Sequence, residues 1–515
     1  MKPILAPGPF SLVAAAMRLS LAALVFLAAP GALAVTCTSL ASGNWNVPAN
    51  WTGCAGGNGP VLNTPGSNDT AIIANTHTIT ANVAITVGAV TVNNGGRLDI
   101  AGSNWSVNGA TSVSGTLGHT STGGNEIYVG PVTINPGGSW DNAIGESCVF
   151  RGGLTVNGTF TSSATTGTYT FNTNSQALSG STAITVWNLT VTGAAVALTN
   201  SANVTVLNTL GGTGGLTNSA SGTVNVANAI SITTLTATAV GNTVNYTRAN
   251  TQTVKNTSYH HLGLGGTSAK TMTGVTTIAG DLNISGSATM TGNAAFTVGG
   301  TLNYSSTGAT TLTAATAISI GKFNQTNGTF IGNNNTITVT GTGAATWSKT
   351  GTFTPGTGTV IFTGAAPQIG ASNFNNLTVN VVTGTATLTG AAAVAGNLSV
   401  STGTLDLATF LADRTAVGGT LTVASGATLK IGGTNTFPAN YTTHTLGATS
   451  TVEYAGNNQS VAAEGAPGYG NLTLSGSGTK TAAGSFITRG TLSISGVTLA
   501  SGATVQTVNG NVSNT

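Results

Sequence analysis

The stretch YGNLTLSG, from Tyr469 to Gly476, has three near copies upstream. They are FNNLTVNV from Phe374, VWNLTVTG from Val186 and a degraded YHHLGLGG from Tyr259. Apolar and polar residues alternate within each copy, which is the period of a β-strand, and glycine or asparagine supplies the turns. A phrase repeated in this way predicts a structural unit; the alternative is a site in which Tyr469 stacks on a bound glycan.

The leucines of these and related elements recur at intervals of 20 to 23 residues. A period of this length, built of short strands and turns, is typical of a β-solenoid. We therefore predict an all-β fold, a right-handed parallel β-helix with coils of about 20–23 residues. One leucine from each of several coils should stack in a core ladder. The predicted ladder consists of Leu189, Leu210, Leu262, Leu282, Leu302, Leu377, Leu398, Leu421, Leu472 and Leu492.

A longer repeat is superposed on the short one. An aromatic strand end, a glutamine and a leucine follow one another four times: Phe171, Gln176, Leu189; Tyr246, Gln252, Leu262; Phe362, Gln368, Leu377; Tyr454, Gln459, Leu472. These sets predict four irregular multi-coil modules over residues 161–515, after a first solenoid segment over 76–160. The unequal module lengths argue against a propeller, whose blades are regular. The segment LDLATFLADRTA, Leu405 to Ala416, fits either a helix or a strand.

The N-terminus carries the pattern of an export signal. Arg18 precedes an apolar run, and Ala32-Leu33-Ala34 provides the small-residue pattern of a cleavage site. We predict a signal peptide over residues 1–34, with Met1 or Met17 as its start, and a secreted or cell-surface location. The apolar run is shorter than the roughly 20 residues that span a bilayer, and no later segment is continuously apolar at that length, so the mature chain should have no membrane span.

Three cysteines follow the signal sequence, namely Cys37, Cys54 and Cys148. Export permits disulfides, and the spacing of Cys37 and Cys54 around two tryptophans suits a loop clamp. We predict that this pair is bonded within a tryptophan-containing N-terminal cap over residues 35–75. The state of Cys148 is left open. A zinc site is not expected, because no Cys-x-x-Cys spacing occurs and His77 stands apart.

The composition excludes several functions. Only 4% of the residues are charged and the formal net charge is +3. This charge gives no electrostatic footprint for nucleic acid, and we expect neither a cofactor nor a metal. The protein is predicted not to be an enzyme, since its ten acidic residues are scattered as solvated turn residues. The strongest candidate cluster contains Arg97, Asp99, Glu126, Asp141, Glu146 and Arg151. His260 and His261 should be exposed and, as adjacent strand residues, face opposite sides.

The segment GTLTVASGATLKIGGTNTFPANYTTHTLGATSTVEYAGNNQSV, Gly419 to Val461, with the phrase that follows it, resembles bacterial secreted β-strand-repeat surface proteins. That resemblance extends from about Phe150 to the end and implies a haemagglutinin-like or adhesin-like β-helix without catalytic residues. The opening, with Trp45, Trp51 and Asp69, is similar to the tryptophan-rich start of such proteins and of G8-like domains. It also occurs in proteins labelled as associated with mannose-sensitive haemagglutinin pili.

Together these features predict an exported surface or extracellular rod for adhesion or structural surface contact. Its partner would be a surface, glycan or matrix ligand. The alternative is a carbohydrate-binding or polysaccharide-degrading β-helix. The last residues, up to Thr515, still alternate apolar and polar side chains. We therefore expect more solenoid beyond them, or end-to-end self-association through an open edge.

Overall fold

The computed structural model describes residues 33–174, 176–313 and 316–515. The chain is an all-β solenoid of about 22 turns, with parallel strands stacked coil upon coil. The prediction of an all-β parallel solenoid is thus confirmed. The predicted signal peptide lies almost wholly in residues 1–32, outside the described part of the chain.

Three long sheets form most of the wall. Sheet A has 11 strands in the first half of the chain: Thr36–Ser39, Trp51–Thr52, Thr70–Ile73, Ala89–Val92, Thr111–Val113, Val132–Ile134, Leu154–Val156, Gln176–Ser179, Ala197–Asn200, Gly215–Asn218 and Thr234–Thr236. Sheet B has six strands on a second face: Gly43–Asn44, Thr78–Ala81, Arg97–Ala101, Thr116–Ser121, Ser139–Asn142 and Thr159–Ser162.

Sheet C runs along nearly the whole solenoid. Its strands are Ile85–Val87, Trp105–Val107, Glu126–Tyr128, Cys148–Phe150, Thr168–Phe171, Ile184–Val191, Asn203–Gly211, Thr223–Val226, Ala229–Ile230, Thr243–Tyr246, His261–Leu264, Thr277–Ile278, Leu282–Ile284, Phe296–Tyr304, Ala317–Gln325, Thr336–Val339, Gly343–Lys349, Thr359–Phe362, Pro367–Ile369, Asn376–Leu388, Leu398–Asp406, Gly418–Val423, Thr428–Ile431, Tyr441–Leu446, Thr451–Tyr454, Asn471–Leu474, Leu492–Ile494 and Val512–Asn514.

Short sheets complete the later coils. They comprise Gln252–Thr253, Thr267–Thr271 and Ser287–Thr291; Ala309–Thr311, Thr329–Ile331 and Thr352–Thr354; Ser372–Phe374 and Ala392–Val394; Ser460–Val461, Thr479–Ala482 and Thr498–Ala500; and Phe486–Thr488 and Gln506–Val508. A single 3-10 turn, Pro48–Asn50, is the helical element of the described residues. The segment Leu405 to Ala416 is not a helix, because its first two residues end the strand Leu398–Asp406 and turns follow.

Successive coils pair in parallel and in register. Leu262 lies opposite Leu282, which lies opposite Leu302. Among the described strands, one pair departs from this rule: Thr36–Ser39 also pairs antiparallel with Trp51–Thr52. Alternate residues of most strands face the core, so the apolar residues of successive coils stack into a continuous buried column.

Two glycines of the YGNLTLSG phrase show how the corners are made. Gly476 has a φ of 84°, which favours glycine over other residues. Gly470 lies outside that left-handed region, but a Cβ there would come within 2.3 Å of the carbonyl oxygen of Gly447 in the preceding coil. One glycine therefore permits a turn, and the other permits close stacking of two coils.

Candidate functional site

The predicted leucine ladder lies in the core. All ten leucines are buried, and the registers join them in runs. The joined runs are Leu189 with Leu210; Leu262, Leu282 and Leu302; Leu377, Leu398 and Leu421; and Leu472 with Leu492. Tyr469 is also fully buried and donates its hydroxyl to the carbonyl oxygen of Ala462, so it offers no ring face to a glycan.

The repeated aromatic and glutamine residues form a buried polar corner in two modules. Tyr246 and Tyr259 join their hydroxyls at 2.9 Å, and Tyr259 donates to the carbonyl oxygen of Lys255. The amide of Gln252 donates to the carbonyl oxygens of Val226 and Asn228, each at 2.9 Å. These bonds satisfy backbone groups of neighbouring coils, so the corner is structural.

The second polar corner repeats the first. The hydroxyls of Tyr454 and Tyr469 are 3.3 Å apart, and Gln459 donates to the carbonyl oxygens of Ile431 and Asn435. Each corner also contains a buried lysine, Lys270 opposite Gln252 in the first and Lys480 in the second. Lys480 donates from Nζ to Gln459 Oε1 at 2.8 Å, and burial lowers the pKa of its amine.

The other two predicted sets do not form this corner. Gln176 is buried, and its amide donates to the hydroxyl of Thr173. Gln368 is exposed on the strand Pro367–Ile369. Phenylalanine occupies the aromatic position in both modules and lacks the hydroxyl that the corner needs. The repeat therefore corresponds to equivalent hydrogen bonding in two of the four modules only.

The N-terminal cap is held together by one disulfide and a pair of packed tryptophan rings. Cys37 and Cys54 are bonded to each other, and the rings of Trp45 and Trp51 lie 5.0 Å apart. Asp69 accepts hydrogen bonds from three backbone N–H groups, those of Val35, Asn58 and Gly66. It is 2% exposed, so the expectation of a solvated turn residue is wrong for Asp69. Its carboxylate instead fixes the loop that enters the first coils.

The predicted acidic cluster separates into two groups. On the outer side of sheet B, Arg97 Nε donates to Asp99 Oδ1 at 2.6 Å and its Nη2 lies 3.7 Å from Asp141 Oδ2. Partial burial raises the pKa of Asp99, and Arg97 opposes that rise. Arg151 is exposed and belongs to neither group. A carboxylate paired with arginine at 2.6 Å is an ion pair rather than a free acid or base.

Glu126 and Glu146 lie inside the solenoid, so their assignment as solvated turn residues is wrong. Glu126 is 0% exposed and Glu146 is 5% exposed. Glu146 accepts the N–H groups of Gly123 and Ser147 at 2.6 and 2.9 Å. The Glu146 carboxylate therefore holds two turns together through their backbone N–H groups, as the Asp69 carboxylate does in the cap.

Glu126 belongs to a buried triad with His119 and Cys148. His119 Nε2 lies 2.7 Å from Glu126 Oε2, and both side chains are 0% exposed. Cys148 Sγ lies 3.6 Å from the same oxygen and 4.0 Å from His119 Nε2. Burial, with the charge of Glu126 beside it, raises the pKa of the Cys148 thiol well above its ordinary value. We call these three residues the His–Glu–Cys triad: three ionisable side chains in mutual contact in the core.

Strand register accounts for this meeting. Glu126 lies opposite Trp105 in one neighbouring coil and opposite Cys148 in the other. Cys148 in turn faces Tyr169, which faces Leu189 of the ladder. Cys148 and Glu126 thus occupy the leucine column two and three coils before Leu189, respectively. The scattered charges predict that Glu126 belongs to a cluster of solvated acids. The sequence signal for its core position is the strand alternation of EIY and CVF, whose first and third residues are buried.

His260 and His261 lie together rather than on opposite sides. Their ring centroids are 4.2 Å apart, and both residues are partly buried. His260 precedes the strand His261–Leu264, so strand alternation does not apply to the pair. The Nδ1 atoms accept backbone N–H groups, from Gly241 and Asp281 respectively. These bonds make the two histidines structural.

Uncharged polar side chains form columns outside the core. A hydroxyl column on sheet A follows successive registers through Thr91, Ser112, Thr133, Thr155 and Ser179. Two amide columns run along sheet C, with side chains bonded to one another at 2.8–3.0 Å: Asn188, Asn208 and Asn228, the last of which lies between two strands, and Asn203, Asn225 and Asn245. The outer faces therefore present one chemical group repeatedly at the coil spacing.

Comparisons with known proteins identify no relative: no family model, curated protein or solved structure matches this chain. Within residues 33–174, 176–313 and 316–515, no helix is long and apolar enough to cross a membrane. The fold and its columns are therefore what supports a functional proposal.

Proposed function

We propose that this protein is an exported rod at the cell surface or outside the cell, and that it makes adhesive or structural contact with a repetitive ligand. The hydroxyl column on sheet A is the observation that carries the proposal. Five hydroxyl side chains stand on consecutive coils from Thr91 to Ser179, each partly exposed. Neighbouring strands are about 4.8 Å apart, so the column offers evenly spaced hydrogen-bonding groups.

A glycan or matrix polymer suits such a face. One hydroxyl contributes little net free energy to binding, about 0.5–1.5 kcal/mol. A repeating ligand engages many of them at once, which raises overall affinity without any deep pocket. A nearly uncharged surface also makes such contact insensitive to salt, since little of it is Coulombic.

Binding of the purified mature chain to insoluble polysaccharides and to matrix preparations tests the proposal. A column variant, T91K/T133K/T155K, places bulky cations on the outer side of sheet A. A matched variant, N225K/N245K, does the same on sheet C. We expect the first variant to lose binding at least tenfold and the second to retain it. Equal binding by both variants and the wild type would contradict the hydroxyl column as the contact face.

The alternative is a carbohydrate-binding or polysaccharide-degrading β-helix. Its acids would be Asp99 and Asp141, which lie beside Arg97 on the outer side of sheet B. The variant D99N/D141N, assayed for release of sugar chain ends, separates the two functions. Chain-end release by the wild type that disappears in this variant would favour the enzyme. We expect no release by either protein.

Export is tested separately. Expression of the full sequence in a bacterial host should give a periplasmic or secreted product whose N-terminus is Val35, because Ala32-Leu33-Ala34 has the cleavage pattern. Retention of an uncleaved chain in the cytoplasm would contradict this part of the proposal and leave the binding test unaffected.

A further inference from the structure

We propose that the His–Glu–Cys triad is a structural site for a divalent transition metal ion, with zinc as the preferred ion. The ligand atoms are His119 Nε2, Cys148 Sγ and the Glu126 carboxylate, and one such atom from each residue lies within 4.8 Å of the others. Imidazole, thiolate and carboxylate are the three side-chain ligands that zinc uses in proteins.

The hydrogen bonding of His119 defines its metal-binding nitrogen. Nδ1 lies 3.2 Å from the carbonyl oxygen of Asp141. A carbonyl only accepts, so Nδ1 carries a proton and donates it. Nε2 then faces Glu126 and Cys148, with its lone pair available whenever the ring is neutral. Donation from the second ring nitrogen to a backbone carbonyl is the usual arrangement for a metal-bound histidine.

Glu126 supplies an independent observation. Its Oε1 atom is buried and has no hydrogen-bond partner among the described residues, while Oε2 faces His119 and Cys148. A buried carboxylate oxygen without a partner costs about 1–3 kcal/mol or more. An ion bound by both carboxylate oxygens, Nε2 and Sγ would satisfy it and complete four donor atoms.

The distances suit an ion after a small adjustment. The three separations are 2.7, 3.6 and 4.0 Å. Zinc bonds of about 2.0–2.3 Å at near-tetrahedral angles place donor atoms of different residues roughly 3.3–3.6 Å apart. Without metal, a proton shared between Nε2 and Oε2 and a proton on Sγ hold the groups together. Binding would replace these protons and widen the shortest separation by about half an ångström.

The burial of the triad determines the role of the site. All three side chains lie in the core with 0% exposure of His119, Glu126 and Cys148. No substrate reaches such a site, so the ion would be structural. It would cross-link sheet B, which carries His119, to two coils of sheet C. The ion would be acquired during folding rather than through an open channel.

The experiment uses the mature chain, unfolded and refolded with zinc or with a chelator, then freed of loose metal by gel filtration. We expect one zinc per wild-type chain by elemental analysis. Cobalt refolding should give the sulfur-to-cobalt charge-transfer band of a thiolate ligand. The variants C148S, C148A and H119Q should bind zinc at least ~10–100-fold more weakly. A loss of that size is typical even when the mutated residue only hydrogen-bonds to a metal ligand.

A matched control uses the other close histidine–glutamate pair, which has no sulfur beside it. His444 Nδ1 lies 2.8 Å from Glu464 Oε1, so H444Q should keep one zinc and the cobalt band. Circular dichroism of each variant verifies the β-fold, and C148A provides a second cysteine variant if C148S folds poorly. Wild-type protein without zinc after refolding, or equal zinc in wild type and folded C148A, would overturn the site.

Discussion

His119 Nε2 and Glu126 Oε2 lie 2.7 Å apart in the core, although the two residues belong to different sheets. In the metal-free protein, removal of one member of such a buried pair leaves the other uncompensated, at a cost of about 3–5 kcal/mol. We expect E126A to lose protection from hydrogen exchange around Glu126–Tyr128 and in the adjacent coils. The effect should be local, because solenoid coils depend on their nearest neighbours.

The control for this prediction is D141A. Asp141 contacts Arg97 at 3.7 Å on the outer surface, and its side chain is 40% exposed. A surface pair of this kind contributes about 0–1 kcal/mol. Similar loss of hydrogen-exchange protection in E126A and D141A would show that the buried pair contributes no more to stability than the surface pair.

The leucine ladder predicts a contrast between adjacent residues. Leu282 is buried between Leu262 and Leu302, whereas Asn283 faces outward. L282A should destabilise its coils by about 2–5 kcal/mol through loss of packing and a residual cavity. N283A loses the side-chain hydrogen bond from Asn303, worth about 1 kcal/mol. Hydrogen exchange of the strand Leu282–Ile284 measures both, and a larger effect of N283A would contradict the core assignment.

The tyrosine corners predict an alkaline transition. Burial raises the pKa of Tyr246 to about 12 and that of Tyr454 to about 12, above the ordinary value of 10.0. The folded chain therefore keeps these protons where the unfolded chain loses them. Stability should fall as the pH rises from about 10 towards 12.

Phenolate absorbance provides the measurement. Burial raises the pKa of seven of the eight tyrosines, so these seven should show little phenolate in the native protein at pH 10.5 and a cooperative increase on unfolding. The chain unfolded in guanidinium should titrate near 10, as free tyrosine does. A gradual native titration centred near 10 would refute this prediction.

The cysteines should differ in reactivity. Cys37 and Cys54 are bonded, and Cys148 is free and buried. Non-reducing peptide mapping of exported protein should recover one disulfide-linked peptide pair. Alkylation of the native chain should leave Cys148 unmodified, because its side chain is buried and inaccessible and, in the metal-free protein, burial raises the pKa of its thiol. Modification of Cys148 at the rate seen in denaturant would show that its site is open, and free thiols at 37 and 54 would exclude the clamp.

Solution scattering tests the shape. About 22 turns stacked ~4.8 Å apart give a rod on the order of 100 Å long. The mature chain should have a cross-sectional radius far smaller than its length. A radius of gyration near that of a compact sphere of the same mass would contradict the extended solenoid.

Much of the architecture follows from the sequence because it depends on local spacing. The interval of 20 from Leu262 to Leu282 and again to Leu302 equals one coil, so the period gives the stacking register directly. Alternation within YGNLTLSG likewise assigns Leu472 and Leu474 to the core, since successive strand residues face opposite sides.

The His–Glu–Cys triad required the tertiary structure. Glu126 and Cys148 share a column, but His119 comes from another sheet and reaches them across the interior. Its position depends on how each corner bends, and corner lengths vary between coils, so spacing along the chain does not encode it. The amino-acid pattern alone predicts the repeat, the leucine ladder and the side of most strands that faces the core. Which ionisable groups are buried in contact with one another follows only from the tertiary structure, because contacts across the solenoid interior depend on the positions of all its sheets.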